Sequence, residues 1–367
     1  MVTATLSGVL AVALLVTMAA SGEVKDAMME KGEVEAGTDT KAIMVVRPFA
    51  VALGASIQIE VTGLQADGRP VTGEVEIAWS APRQKLSGKI TAQLDDRGHL
   101  IFPFSLSEKL AEGTVVFTLS HPALAVKPVA RVSVHTPEVA KELQELSRAA
   151  CVPVPCRIAF VGDSLTDMNR GANYVSIVER ALRAKYGGQV TVINSGKGGD
   201  SIVRIEERLE RTVLEHKPDW VFVFVGHNDC KIAWDPRTED FGKCFVPIEE
   251  FAAAYRRVVQ RLREGGVKRI SLMSISASHE PTTRAVHEAA VKQKKLHNFF
   301  GRPDLLEKYN EVIRNVAAEY GLDYLDVYTP MKHSPEWAQL TDSSGVHLRE
   351  AGDRFIAVQV LRFIAGR

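Results

Sequence analysis

The chain has 367 residues, of which 25% are charged and 46% hydrophobic, the proportions of a soluble folded protein. The length suits two domains, and the proportions exclude a disordered chain, a collagen-like repeat and a protein that crosses a membrane many times. Lysine and arginine together number 45, as do aspartate and glutamate, so the formal net charge is zero. A balanced charge gives no overall attraction to nucleic acid or to anionic membranes, so we expect neither as a partner.

The first 22 residues carry no charged side chain, and residues 6–20 are nearly all apolar or small. Residues 19–21 have the small-x-small pattern of a cleavage site, which predicts a signal peptide and a periplasmic or secreted location. No lysine or arginine precedes the apolar run, which leaves a membrane anchor and a misassigned start codon as alternatives. Residues 23–41 are charged and lack hydrophobic periodicity, which indicates a linker.

Between residues 42 and 136, apolar residues alternate with polar ones in short runs separated by turn signals. The alternation is clearest at Ile57, Ile59 and Val61, at Val75, Ile77 and Trp79, and at Val115, Phe117 and Leu119. Short strands at this spacing predict an all-β sandwich domain that is immunoglobulin-like in architecture. Residues 137–156 are predicted to link this domain to the rest of the chain, with a short helix over residues 138–149.

From residue 157 onward, apolar strand-like runs alternate with helical periodicities. The strand-like runs occupy residues 158–161, 190–193, 220–225, 270–275 and 324–327. Strands separated by helices predict right-handed crossovers and a parallel sheet that is covered by helices on both faces. Residues 157–367 are numerous enough to form such a domain. Ligands of these sheets bind at the carboxyl ends of the strands, so polar residues that follow strands are candidate functional residues.

Four segments with suitable chemistry occupy such positions. Ser164 follows the first strand, Gly199 lies in a glycine-rich turn after the second, Asn228 follows the third, and His347 precedes the last helix. A serine where a helix begins is close to unpaired N–H groups that suit an anionic intermediate. Each segment alone is also typical of an ordinary turn, cap or solvent-exposed loop. Their occurrence together, at one edge of a predicted sheet, is what indicates a catalytic site.

With these residues the sequence resembles the GDSL-type, or SGNH, serine hydrolases. The four letters of the second name match Ser164, Gly199, Asn228 and His347, and the resemblance covers residues 157–367. It implies a three-layer α/β/α, flavodoxin-like fold and ester hydrolysis that needs no metal or cofactor. Ser164 would be the nucleophile and His347 the general base. The N–H groups of Ser164 and Gly199 and the side-chain amide of Asn228 would form the oxyanion hole.

The sequence departs from the family at the third member of the triad. The family usually has an aspartate three residues before the histidine, and Ser344 stands there in this chain. Asp342 lies five residues before His347, near enough along the chain to fold back onto the ring. Three alternatives follow: Asp342 completes the triad, a dyad of Ser164 and His347 acts with help from Ser344 or a backbone carbonyl, or the site is inactive.

Other polar residues lie in the same turns as the candidate residues. We expect Asp163, Asp200 and Asp229 to brace the loop backbone rather than to take part in acid–base chemistry. His227 directly precedes Asn228, and we expect its ring to contact either substrate or only solvent.

The chain has four cysteines, namely Cys151, Cys156, Cys230 and Cys244. An even number suits an exported protein, and two local disulfides, Cys151–Cys156 and Cys230–Cys244, are the simplest pairing. Free buried thiols are the alternative. Neither spacing matches a zinc motif, so no metal site is predicted.

These observations predict an exported serine esterase that acts on carbohydrate acetyl groups or other small esters, with the sandwich domain as a spacer or glycan-binding module. A lipase, phospholipase or thioesterase of the same family and a binding protein on a catalytically degenerate scaffold are the alternatives. Two long loops, residues 230–246 and 276–303, are predicted to shape the substrate pocket. A basic run in the second loop suits an anionic or carbohydrate substrate, although it is also typical of a solvated helix face.

Overall fold

The computed structural model of the chain describes residues 41–65, 68–107, 109–124, 126–168 and 173–366. The predicted signal peptide or anchor, and the predicted linker up to residue 40, lie outside the described residues. In the ranges that are described, no helix combines the length and the apolar character needed to cross a bilayer.

The first part of the chain consists of strands, which form two sheets. The strands are β1 (Lys41–Arg47), β2 (Ala50–Ala52), β3 (Ser56–Leu64), β4 (Gly73–Ala81), β5 (Leu86–Leu94), β6 (His99–Ser105), β7 (Gly113–Ser120) and β8 (Val129–His135). One sheet has the order β1-β3-β6 and the other the order β2-β8-β7-β4-β5. The strand pairs are antiparallel except β2 with β8, which is parallel.

The two sheets enclose one hydrophobic core, which makes this part of the chain a β-sandwich. Ile59 and Val61 of one sheet and Ile77 and Phe117 of the other belong to the same buried cluster and are fully buried. Alternate side chains of β3 and β7 point into this core, as the period of two in the sequence predicts. The two-sheet β domain is therefore observed, while its immunoglobulin-like architecture stays a prediction.

Helix α1 (Pro137–Ala149) follows the sandwich and begins as the sequence predicts. Thr136 caps the helix by accepting a hydrogen bond from the Val139 N–H, and Pro137 occupies the first turn, where no intrahelical N–H is needed. The short helix predicted over residues 138–149 is therefore present. Its Leu143 and Leu146 side chains are buried in the core of the second domain.

The remainder of the chain alternates strands and helices around a central sheet. Its strands are β9 (Cys156–Gly162), β10 (Val190–Gly196), β11 (Trp220–Phe224), β12 (Ile232–Asp235), β13 (Asp240–Cys244), β14 (Arg269–Met273), β15 (His297–Phe299) and β16 (Asp323–Leu325). Its helices are α2 (Tyr174–Tyr186), α3 (Ile202–Thr212), α4 (His227–Cys230), α5 (Ile248–Glu264), α6 (Glu280–Lys292), α7 (Pro303–Tyr320), α8 (Tyr328–Lys332), α9 (Trp337–Leu340) and α10 (Glu350–Ile364).

The central sheet is parallel, has five strands and follows the order β10-β9-β11-β14-β16. Helices α1, α2 and α10 pack against one another, and α3, α5 and α7 form a second packed group. Side chains from both groups join the sheet in one buried cluster. All five strands predicted from the sequence are present in this sheet, so the parallel α/β prediction is confirmed.

A second, smaller sheet forms from the two long loops. Strands β13, β12 and β15 pair antiparallel in that order, and we call these three strands the insert sheet. Its aromatic side chains pack against one another and against helix α6. Trp234 contacts Phe241 at 5.2 Å between ring centroids, and the Phe299 ring stacks on His287 of α6 at 4.4 Å. Both segments were predicted as loops, so the insert sheet is a correction.

Candidate active site

The strand order brings three of the predicted residues together. Strand β9 lies between β10 and β11, and all three run in the same direction. Ser164, Gly199 and Asn228 each follow the carboxyl end of one of these strands by two to four residues. They therefore lie along one edge of the sheet, where parallel α/β proteins bind their ligands.

Ser164 lies in a tight turn directly after β9. The Asp163 carbonyl accepts hydrogen bonds from the N–H groups of Thr166 and Asp167, each at 3.1 Å. The Asp163 carboxylate accepts a further bond from the Leu165 N–H at 3.0 Å. This turn leaves Ser164 half-buried at the edge of the sheet, with its Oγ 3.2 Å from Nε2 of His347.

The glycine-rich turn after β10 approaches Ser164 closely. The Lys197 N–H donates to the Gly162 carbonyl at 3.1 Å, and the Gly198 N–H donates to the Asp167 carboxylate at 2.8 Å. A Cβ atom on Gly198 would lie 4.0 Å from the Cβ of Ser164. Gly199 has a φ of +84°, a conformation that glycine adopts without steric cost. The turn therefore carries the backbone of residues 198–199 next to the serine.

Asn228 extends from α4, the single helical turn that follows β11. The turn begins at Gly226, whose φ of +150° and close approach to Ile275 leave no room for a side chain. Asn228 Nδ2 donates to the Asp200 carbonyl at 3.0 Å, which places the amide beside the turn that contains Gly199. A carboxamide nitrogen carries two hydrogens, so one remains for a ligand.

The loop before α10 brings Asp342 back onto His347. The Asp342 N–H donates to the His347 carbonyl at 2.8 Å, and Thr341 pairs with Leu348 in an isolated antiparallel bridge. This closed loop puts the Asp342 carboxylate 3.9 Å from Nδ1 of His347, although Asp342 lies five positions earlier in the chain. The distance is too long for a direct hydrogen bond.

The hydroxyl of Ser344 fills the space between the acid and the ring. Its Oγ lies 3.3 Å from Nδ1 of His347 and also contacts Oδ1 of Asp342. A carboxylate only accepts hydrogen bonds, so the single hydroxyl proton of Ser344 goes to Asp342. The Ser344 oxygen accepts from the N–H groups of Val346 and His347, each at 3.2 Å, and also faces Nδ1 of His347. An Nδ1–H that shares this oxygen would leave Nε2 of His347 as the basic nitrogen that faces Ser164.

Buried polar contacts support the turns around the site. Asp229 accepts a hydrogen bond from the Ile202 N–H at 2.9 Å, and burial raises the pKa of its carboxyl to about 8. Asp163 and Asp229 thus brace backbone, as the sequence analysis predicted. Asp200 instead pairs with Arg208, whose Nε lies 2.5 Å from Oδ2 of Asp200.

Arg208 ties together the ends of two strands and was missed by the sequence analysis. Its guanidinium donates to the carbonyl of Gly162 at 3.2 Å and to the carbonyl of Ser195 at 2.9 Å. Its side chain is only 9% exposed. Its position at the seventh residue of α3 gave no sequence signal, because an arginine in a helix is usually at the surface.

His227 is buried rather than solvent-exposed. Nε2 of His227 lies 3.0 Å from the Ser276 hydroxyl, and burial, with a smaller contribution from the nearby charge of His347, lowers the pKa of the ring to about 3. The prediction that its ring contacts solvent is therefore wrong, and the structure offers no support for the prediction that it contacts substrate.

A cavity of about 310 Å³ opens beside the Ser164 and His347 side chains. Among the described residues it is lined by Ser164, Leu165, Asp167, Asn173, Asp342, His347, Leu348, Arg349 and Asp353. This volume is at the small end of the range for ligand pockets.

The four cysteines add no further chemistry to the site. Cys151, Cys156, Cys230 and Cys244 are all free thiols, which contradicts the two predicted disulfides. Cys151 is exposed whereas Cys156 is buried in strand β9, and the Cys230 thiol points toward the His227 carbonyl at 3.9 Å. Within the part of the chain that the structure describes, no three histidine, cysteine, aspartate or glutamate side chains are arranged to hold a metal ion.

Comparison with known proteins decides the family. The model of the GDSL-like lipase/acylhydrolase family matches residues 160–355, which is more than half of the chain. The chain belongs to this family. The match includes Ser164, Gly199, Asn228 and His347, and it confirms the resemblance that the sequence motifs indicated.

Individual relatives share between 22% and 32% of their aligned residues with this chain. An acetylxylan esterase from Geobacillus stearothermophilus is 32% identical over 117 residues, which cover 28% of this chain and 52% of that protein. The GDSL esterase/lipase CPRD49 of Arabidopsis thaliana is 22% identical over 218 residues, which cover 58% of this chain and 80% of that protein. A solved structure of a lipase/acylhydrolase from Enterococcus faecalis is 22% identical in sequence. The match covers 58% of this chain and 96% of that protein, with a TM-score of 0.44.

The GDSL family and its esterase members put the chain among the carboxylic ester hydrolases. The first of these relatives is matched over only about half of its length. The substrate in its name is therefore a property of that protein, and the substrate of this chain is a separate question.

Proposed function

We propose that the chain is a serine esterase that hydrolyses small acyl esters, with acetyl groups on carbohydrates as the substrate class. The observation that carries the proposal is the distance of 3.2 Å between Oγ of Ser164 and Nε2 of His347 at the carboxyl edge of the sheet. A nucleophile within hydrogen-bond reach of a base is the geometry that acyl transfer needs. The acetylxylan esterase relative and the modest volume of the cavity support the choice of acetyl esters.

In the proposed reaction, Ser164 Oγ forms a bond to the acyl carbon while its proton passes to Nε2 of His347. The carbonyl oxygen becomes an oxyanion, which accepts hydrogen bonds from the N–H groups of Ser164 and Gly199 and from the Asn228 amide. The tetrahedral intermediate collapses as the bond to the alcohol oxygen breaks, and His347 returns its proton to that oxygen. Water then attacks the acyl-enzyme in the same way and releases the carboxylic acid.

Asp342 acts in this proposal as the third member of the triad, through the hydroxyl of Ser344. The protonated imidazole formed during the reaction would carry charge on Nδ1, and the hydroxyl and the carboxylate behind it would stabilise that charge. This combines two of the alternatives left open by the sequence, namely an acid at position 342 and assistance from Ser344.

The test is hydrolysis of p-nitrophenyl acetate together with labelling by a fluorophosphonate probe. Because Ser164 supplies the bond-forming oxygen, Ser164→Ala should lower kcat by at least about a thousandfold and abolish labelling. The matched control is Ser343→Ala, which changes an exposed serine in the loop of His347. This variant should keep both the wild-type kcat and the labelling. Labelling that persists in Ser164→Ala would contradict the proposal, and an unlabelled wild-type chain would favour the degenerate binding protein.

A second assay distinguishes the substrate classes. Acetylated xylooligosaccharides should be deacetylated, and p-nitrophenyl esters should lose activity as the acyl chain lengthens, because the cavity is small. Preference for a long acyl chain would instead identify a lipase or thioesterase.

A further inference from the structure

Both ends of the Asn228 carboxamide are held by neighbouring groups. Asn228 Nδ2 donates to the Asp200 carbonyl at 3.0 Å, and the Lys231 ammonium donates to Asn228 Oδ1 at 3.3 Å. An amide turned over by half a rotation would put its oxygen against a carbonyl and its NH₂ against an ammonium, and both contacts would be repulsive. The two partners therefore fix the direction in which the amide hydrogens of Asn228 point.

The insert sheet holds Lys231 in this position. The Lys231 Nζ lies 4.6 Å from the centre of the Phe245 ring, which follows β13, and 5.5 Å from that of Phe300, which follows β15. An ammonium over an aromatic face is attracted by the ring quadrupole. The Phe245 N–H also donates to the Lys231 carbonyl at 3.0 Å, so backbone and side chain of Lys231 are both anchored.

A positive charge on the oxygen end of an amide strengthens its N–H groups as donors. The ammonium of Lys231 polarises the Asn228 carboxamide, and hydrogen bonds in such chains reinforce one another in a partly buried setting. This effect grows in value as negative charge develops on the substrate oxygen, because preorganised donors favour the transition state over the ground state.

We propose that Lys231 is a positioning residue for the oxyanion hole, and that the insert sheet serves catalysis by holding Lys231 against Asn228. The inference rests on the proposed function, since it requires Asn228 to donate to the oxyanion. It assigns a task to a part of the chain that the sequence analysis predicted only as loops around a pocket.

The experiment compares kcat and KM on p-nitrophenyl acetate. Lys231→Met keeps the length of the side chain without its charge, so it should lower kcat about tenfold and change KM by less than about twofold. Lys231→Arg should recover most of the lost kcat, because it restores a cationic donor. The matched control is Lys243→Met, an exposed lysine of β13, which should leave both parameters unchanged.

A double-mutant cycle separates positioning from a general loss of structure. In an Asn228→Ala background, Lys231→Met should lower kcat by less than about twofold, because the amide on which it acts has gone. The inference is overturned by an equal loss in both backgrounds, or by a loss that falls on KM alone. Phe245→Ala removes an exposed ring without touching the core, and it should give a smaller loss of kcat in the same direction. That variant carries the test if Lys231→Met does not fold.

The outcome for Lys231 is distinguishable from that for the proposed function. Hydrolysis that depends on Ser164 but is unchanged by Lys231→Met would overturn this inference alone. A wild-type chain without hydrolysis that depends on Ser164 would overturn both.

Discussion

The hydroxyl oxygen of Ser344 lies 3.3 Å from Nδ1 of His347 and contacts the carboxylate of Asp342 on its other side. Ser344 stands three residues before His347, and Asp342 stands five residues before it. The closed loop from Thr341 to Leu348 makes this spacing compatible with contact, because it folds Asp342 back beside the histidine. The Ser344 hydroxyl thus lies between the His347 imidazole and the Asp342 carboxylate.

Removal of that hydroxyl should impair catalysis more than binding. Ser344→Ala deprives Nδ1–H of its acceptor, so we expect kcat to fall about tenfold to a hundredfold, with little change in KM. Steady-state kinetics on p-nitrophenyl acetate measure this, with Ser343→Ala as the control. A kcat that stays at the wild-type value would show that Ser344 does not orient the ring.

A second substitution should restore much of the kcat that is lost when Asp342 is replaced. Asp342→Asn should lower kcat by at least about tenfold, because the carboxamide cannot stabilise the imidazolium. Adding Ser344→Asp to that variant puts a carboxylate where Nδ1 can contact it directly. We expect the double variant to regain much of the lost kcat; a double variant less active than Asp342→Asn would contradict the relay.

Asp229 should make stability depend on pH. Burial raises the pKa of its carboxyl from the ordinary value of 3.8 to about 8. Between these two pKa values, the folded chain keeps a proton that the unfolded chain releases. The free energy of unfolding should therefore fall as pH rises through this range, by up to about 1.4 kcal/mol per pH unit from this group. Urea unfolding at pH 5 and pH 7.5 should show a smaller decrease for Asp229→Asn than for wild type. Equal decreases would mean that Asp229 is ionised in the folded chain.

Loss of the Arg208 guanidinium should destabilise the fold. Arg208→Met leaves the buried Asp200 carboxylate without its cation, which costs about 3–5 kcal/mol of unfolding free energy for pairs of this kind. Denaturant unfolding measures the change, and Arg211→Met, on the exposed face of the same helix, is the matched control. Addition of Asp200→Asn should recover part of the loss, because the unpaired charge is then absent.

The sequence predicted the elements whose periodicity is strong. Strand β11 is a continuous apolar run because it is buried on both faces, and most of β9 is buried in the same way. Strand β5 was missed, since its side chains alternate only between half-buried and exposed positions at the edge of its sheet. Strands β12 and β15 were missed because they have only four and three residues, which are too few to show an alternation of apolar and polar side chains.

The placement of the site residues at one edge of the sheet was predictable from the sequence. The contacts of the side chains that support them were not. Ser164 and Asn228 follow strands, so their approach to one another follows from parallel topology. The pairing of Arg208 with Asp200 and of Lys231 with Asn228 depends on side-chain directions that no motif records. One weak signal existed: Asn228 and Lys231 are three residues apart, a spacing at which side chains on a helical turn are neighbours.

Helix α1 has a practical consequence for work on the catalytic half alone. A truncated protein that starts at Arg157, where the family resemblance begins, would lack Leu143 and Leu146. The apolar surface that these two side chains cover would then be exposed to solvent. Even an expression boundary at Pro137 would remove Phe49 and Ala50, which are buried in the same cluster. Recombinant fragments should therefore retain the sandwich, because the hydrolase shares its interior with the segment that precedes it.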